Sequence, residues 1–442
     1  MNLSERSAVL AEKLKNVIHV LLWILAISLY MAFNYIPAVG IAMLLLLFGS
    51  VALGGRGTMK HEWIASGIMA ICLVTGMLVK RYSIRMLLVT VVAACALFML
   101  VMDTRAKTGR RSRAGIVFGV VGYILSGSVC TFLLFNAINP DPSMRLIQNG
   151  AADYPTDVVE TFEEREGVSH YYDVTYDSEY PNNTYTVHVV PNCKGVFFYI
   201  HGGGLVIGDK EGAEQNVYLN AMMDAGYSTV TVDYVLAPQN PFPQSVCEVN
   251  DALAHFIRHI DDYGLTADRI IVGGDSAGGM LSGLLAVINT NPDYAKELGV
   301  TPAVEDTDVT LKGYVSISGL VDVPRFSNSG MFVIDWLFDT MARSSFQKAD
   351  YSDTYEAHLG SVLEHVTADF PPTYASDGNL GSFGAQNKDL VAKLQELDVP
   401  VDFNFPDRDT ATLLHIWDLN TNSELGAANF ARTVAFMDEY MK

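Results

Sequence analysis

The chain has 442 residues, more than one compact domain needs. Half of them are hydrophobic and 18% are charged, an apolar balance for a water-soluble protein. Residues 1–137 hold 13 Lys and Arg against 4 Asp and Glu, whereas 138–442 hold 16 against 45; the second part therefore favours neither nucleic acid nor an anionic membrane surface.

The first part reads as a membrane region of about five helices. Apolar stretches run over 17–33, 37–53, 63–79, 86–102 and 115–137, and none contains Asp, Glu, Lys or Arg. Each approaches the roughly 20 residues that a helix needs to cross the hydrocarbon core. An apolar span followed by four more is not a cleaved signal peptide. With the N-terminus inside, ten basic residues lie in inner segments and three, Lys80, Arg81 and Arg85, in an outer loop. The positive-inside rule then places residues after about 138 outside the cytoplasm. The ordinary role of such a bundle is an anchor in the bilayer. A transport or acyl-handling bundle is the sharper alternative, but His19 is the one residue close to an intramembrane ionisable group.

Beyond residue 150, short β-rich runs alternate with helical stretches. Strands are expected over 195–201, 227–234, 269–273 and 312–318, and helices over 211–225, 244–262 and 277–290. This alternation implies an α/β fold with a mostly parallel sheet covered on both faces. Residues 321–369 form an insertion between strands, rich in Phe326, Met331, Phe332, Trp336, Leu337, Phe338 and Met341. Cys72, Cys95 and Cys130 sit in apolar runs as small buried side chains. Cys193 and Cys247 make no disulfide framework, and pairing between them stays open.

Two motifs carry chemistry. In Gly274-Asp275-Ser276-Ala277-Gly278, small residues flank a serine at a strand-to-helix turn, which lets the hydroxyl project above the sheet. In His201-Gly202-Gly203-Gly204, a second strand ends in glycines whose amides can approach a substrate carbonyl. The amides of Gly203, Gly204 and Ala277 form the expected oxyanion hole. The glycine run lacks the spacing and the Lys of a phosphate loop.

These motifs, with Asp233-Tyr234-Val235-Leu236-Ala237-Pro238-Gln239-Asn240-Pro241-Phe242-Pro243 between them, resemble the hormone-sensitive-lipase family of α/β hydrolases over roughly residues 165–440. The resemblance implies an α/β-hydrolase fold, a serine ester hydrolase acting on short or medium acyl groups, no cofactor, and a cap formed by the 321–369 insertion. Gln239 departs from the family's usual Glu, which touches a structural hydrogen bond and not the reaction. His415 falls where the family has its catalytic base. His170 and His188 precede the core, His255 and His259 lie on the helix after Pro243, and His358 and His365 lie in the cap. The acid is displaced. Counted from Pro371-Pro372, its family place is Gly381, and Asp377 stands four residues earlier. Asp377 is the expected triad acid, with Asp407 or Asp409 as substitutes; a turn role for Asp377 is the alternative.

The expected activity is ester hydrolysis through Ser276, His415 and Asp377. A membrane-linked acyltransferase and a non-catalytic ligand-binding homologue remain open beside it. No H-E-x-x-H or paired Cys-x-x-Cys points to a metal. The expected partners are an ester substrate, small or from the lipid or cell envelope, and the bilayer.

Overall fold

A computed structural model describes residues 71, 91, 136, 138–148, 158–181 and 183–442. The chain divides into two compact units, Met1–Pro140 and Asp141–Lys442. The five apolar stretches lie outside the described residues, apart from isolated positions. Among the described residues no helix is long and apolar enough to cross a membrane.

The second unit is built on one nine-stranded sheet. Its strands are β1 (Thr161–Arg165), β2 (Val168–Thr175), β3 (Thr184–Val189), β4 (Val196–Ile200), β5 (Ser228–Val232), β6 (Ile270–Asp275), β7 (Gly313–Ile317), β8 (Thr373–Ser376) and β9 (Val401–Asn404). They are ordered β1-β2-β3-β5-β4-β6-β7-β8-β9. The pairs β1–β2, β2–β3 and β3–β5 are antiparallel, and every pair from β5 through β4 to β9 is parallel. The order turns back at β4, so β4 and β6 lie side by side and end together. The two motif loops leave those ends.

The helices are α1 (Asp141–Gln148), α2 (Ala213–Asp224), α3 (Gln244–His259), α4 (Ala277–Thr290), α5 (Pro292–Leu298), α6 (Phe332–Phe346), α7 (Tyr355–Leu359), α8 (Val362–His365), α9 (Gly384–Glu396) and α10 (Glu424–Tyr440). Alternation along β4 shows why the sheet needs cover on both faces. Val196, Phe198 and Ile200 join one core with residues of α3 and α4. Phe197 and Tyr199 join the other with Tyr218 and Met222 of α2 and Phe436 and Met437 of α10. Each such buried side chain stabilises by about 1.5–3 kcal/mol.

Gln148 of α1 donates to the Val206 and Ala237 carbonyls, and Gln239 donates to Gln148 at 3.1 Å. The residue that departs from the family pattern thus serves a structural hydrogen bond. His170 and His188 do not precede the core. They lie on β2 and β3 with their Nδ1 atoms 2.7 Å apart, because the sheet extends further toward the N-terminus than the parallel core. Cys193 and Cys247 are both free thiols.

Glu248 on α3 is fully enclosed and accepts a hydrogen bond from the Val235 amide at 2.5 Å. Burial pushes its carboxyl from 4.5 up to about 8. Between those values the folded chain holds a proton that the unfolded chain has lost, so this contribution is complete below about 4.5 and fades as pH rises through 8. The slope for one such proton is about 1.4 kcal/mol per pH unit. Unfolding free energy measured from pH 6 to 9 is therefore expected to fall, and Glu248→Gln to flatten part of that fall. An unchanged slope in the variant contradicts this.

Candidate active site

Every residue of β6 is buried, and the strand runs straight into α4 through Ser276. Ser276 has φ 52 and ψ −116, a left-handed conformation that costs about 1–3 kcal/mol in a non-glycine residue. Three backbone bonds hold it. Its amide donates to the Ile317 carbonyl at 3.0 Å, and its carbonyl accepts from Leu320 at 2.9 Å and Met280 at 3.2 Å. The flanking glycines are required by space. A Cβ on Gly274 would lie 2.3 Å from the Ile200 carbonyl oxygen, and one on Gly278 only 2.0 Å from it. Since that obstacle is backbone, Gly278→Ala is expected to cost about 1–3 kcal/mol in urea unfolding and to lower activity with it. Wild-type stability and activity in that variant contradict the packing described.

The 201–204 loop leaves the neighbouring strand β4 and is tied to the serine turn. Asp275 accepts from the Gly202 amide at 2.9 Å and from the Tyr199 hydroxyl at 2.5 Å. Tyr234 donates to the His201 and Gly202 carbonyls at 2.9 and 3.2 Å, and the His201 ring stacks on Tyr234 at 4.3 Å. His201 and Gly202 are thereby structural ties. Gly203 and Gly204 have φ of 105 and 63, the left-handed region that favours glycine. Among the described residues neither amide donates to another group. The Ala277 amide opens α4, where no intrahelical acceptor exists. Helix α6 of the 321–369 insertion rests on this loop. A Cβ on Gly204 would meet Met341 Sδ at 2.4 Å, and Ser345 donates to the Gly204 carbonyl at 3.1 Å.

His415 Nε2 lies 2.9 Å from Ser276 Oγ. Phe338 of α6 and Phe383 flank its ring edge-to-face, with centroids 5.4 and 5.1 Å away. Burial holds the imidazole down, at about 4. The loop that carries it is anchored by Asp418. The Asp418 carboxylate accepts from Ser318 at 3.0 Å and Ser376 at 2.5 Å, and Ser318 Oγ accepts from the Ile416 amide at 3.2 Å.

Asp377 does not meet the ring directly, as the sequence had suggested a triad acid would. Its carboxylate stops one hydroxyl short. Ser382 donates to Asp377 Oδ1, and Ser382 Oγ lies 2.8 Å from His415 Nδ1. Asp377 also accepts from the Gly378 amide at 2.6 Å and from Asn387 Nδ2 at 2.9 Å. Burial, with the Asp418 carboxylate nearby, pushes Asp377 up to about 8 against the pull of these donors. Asp407 and Asp409 are exposed. Sequence reasoning missed Ser382 and Asp418. A signal for Ser382 was present, since the family's acid position falls on Gly381, one residue away.

Residues 197–408 match a family described as having the alpha/beta hydrolase fold. The unit is an α/β hydrolase in fold. The chain is 26% identical over 249 residues to the "Probable carboxylic ester hydrolase LipM" of Mycobacterium tuberculosis, covering 56% of this chain and 53% of that one. It is 34% identical over 92 residues to an acetyl esterase of Salmonella schwarzengrund, covering 21% of this chain and 28% of the relative. A match to an esterase of Gibberella moniliformis is 28% identical over 178 residues and covers 40% and 54%. The chain thus spans about half or less of the length of these relatives. Among solved structures, esterase B from Lactobacillus Rhamnosis superposes on this chain with a TM-score of 0.52 at 18% identity, covering 63% of this chain and 88% of that one.

Proposed function

We propose that this chain is a membrane-anchored serine carboxylesterase, akin to the hormone-sensitive-lipase group, that hydrolyses esters of acetyl or other short and medium acyl groups. One observation carries the reading: His415 Nε2 stands 2.9 Å from the hydroxyl of a serine held at a left-handed turn. The names of the relatives support it. His415 takes the Ser276 proton as the hydroxyl oxygen attacks the ester carbonyl. The amides of Gly203, Gly204 and Ala277 receive the developing oxyanion, and loss of one such donor costs about 3–4 kcal/mol. His415 then protonates the leaving alcohol, and water repeats the sequence on the acyl-enzyme. Helix α6, with Phe338 and Met341 against the site, covers it as part of the cap.

The apolar stretches of residues 17–137 anchor the chain in the bilayer, and the excess of basic residues in the inner segments that flank them puts the hydrolase outside the cytoplasm, facing lipid or envelope esters. Full-length chain in detergent is expected to hydrolyse p-nitrophenyl acetate and butyrate, with Ser276→Ala inactive. Activity that survives Ser276→Ala overturns the reading. In sealed inside-out membrane vesicles, added protease is expected to leave the hydrolase intact; its digestion would reverse the orientation.

A further inference from the structure

We propose that Ser382 is a positioning residue that couples Asp377 to His415, so that Ser276, His415, Ser382 and Asp377 form a four-membered chain in place of a three-membered one. This rests on the serine-esterase reading. The reason lies in the direction of the hydrogen bonds. Above about pH 8, where Asp377 is ionised, its carboxylate can only accept, so the Ser382 hydroxyl hydrogen points to Asp377 Oδ1. Its oxygen lone pair then faces His415 Nδ1, 2.8 Å away, and requires the proton to sit on that nitrogen. Nε2 is left with the lone pair that takes the Ser276 proton across 2.9 Å. When the imidazole becomes imidazolium, Nδ1–H stays bonded to Ser382 and no proton leaves for Asp377.

Packing fits this role. Ser382 and Asp377 are 6% and 1% exposed, so bulk water does not compete for either bond. The 377–382 turn is also fastened to the loop before His415. The Asn379 and Leu380 amides donate to the Leu413 carbonyl at 2.9 and 3.1 Å, and Asn379 Oδ1 accepts from the Leu413 amide at 3.1 Å. A Cβ on Gly378 would lie 2.4 Å from the Leu414 carbonyl oxygen. The two loops meet too closely for slack. The gap between acid and base is filled by a hydroxyl because the acid sits upstream of its family place, at the end of β8.

The test uses the full-length chain in detergent. Ser382→Ala is expected to lower kcat about 10- to 100-fold with KM within about twofold, and Ser382→Thr to restore most of the loss. Adding Ser382→Ala to Asp377→Ala should cost no more than about a further threefold, since both cut one chain. The strongly deshielded Nδ1 proton of His415 should be visible by NMR in the wild type and lost in Ser382→Ala while the protein stays folded. Losses that multiply in the double variant, or a proton resonance unmoved in Ser382→Ala, overturn the proposal. The resonance needs no substrate, so it decides the Ser382 contact even where hydrolysis fails. Hydrolysis that depends on Ser276 but not on Ser382 defeats this inference alone.

Discussion

Replacing His415 with alanine is expected to lower kcat on p-nitrophenyl esters by about 10⁶, with Ser276→Ala as severe and the double variant no worse. The size of the loss follows from the nucleophile. A serine hydroxyl is almost wholly protonated at neutral pH, and His415 Nε2 is the base placed 2.9 Å from it. Burial keeps that imidazole neutral, so it is ready to accept a proton throughout the neutral range. About 10³–10⁴ over the reaction in water should survive, because the amides of Gly203, Gly204 and Ala277 still stabilise the oxyanion. Loss of the ring opens space between Phe338 and Phe383 without touching the sheet, and a melting curve close to wild type should accompany the inactive enzyme. A His415→Ala variant that keeps more than about a hundredth of wild-type kcat contradicts the assignment of the base.

Asp377→Asn is expected to cost about 10⁴ in kcat above pH 8, where the wild-type carboxyl is ionised, although the side chain keeps its shape. The amide brings donors to a place where the carboxylate only accepts. It meets the donors of Ser382, Gly378 and Asn387 and favours reversal of the Ser382 hydroxyl. Reversal offers a hydrogen to His415 Nδ1 and moves the imidazole proton to Nε2, where it blocks transfer from Ser276. The pH profile reports the same event. Burial and Asp418 raise Asp377 to about 8, so its carboxyl is protonated below that pH and ionised above it. His415, held at about 4, adds no break in that range. The kcat/KM of the wild type should therefore rise with pH through about 8, and the rise should vanish in Asp377→Asn. A wild-type profile that is flat through 8 and falls only near 4 would assign the pH dependence to the imidazole alone and contradict this account.

Much of this was legible in the sequence, and the reason is steric. The glycines beside Ser276 are there because a Cβ would strike the Ile200 carbonyl, so the motif states its own geometry. The four central strands follow from β-branched and aromatic runs that are buried on both faces. His415 was legible through the resemblance, near the end of the chain. Asp377 was named, but its reach to His415 through Ser382 was not legible, since it depends on where β8 ends and how the 377–382 turn folds, neither of which has a periodic signature. Ser382 and Asp418 are small or ordinary polar residues whose role comes from contacts across 33 and 100 residues, to His415 and Ser318. The antiparallel β1–β3 extension was missed because polar and aromatic residues mix along it, with β1 exposed along its whole length.

The most direct test of the central claim is labelling with a fluorophosphonate, followed by mass spectrometry of the peptide that spans β6 and α4. The account predicts a single stoichiometric adduct on Ser276 that forms rapidly in the wild type and much more slowly in His415→Ala. A folded chain that stays unlabelled at Ser276, or that carries the adduct elsewhere, would contradict it.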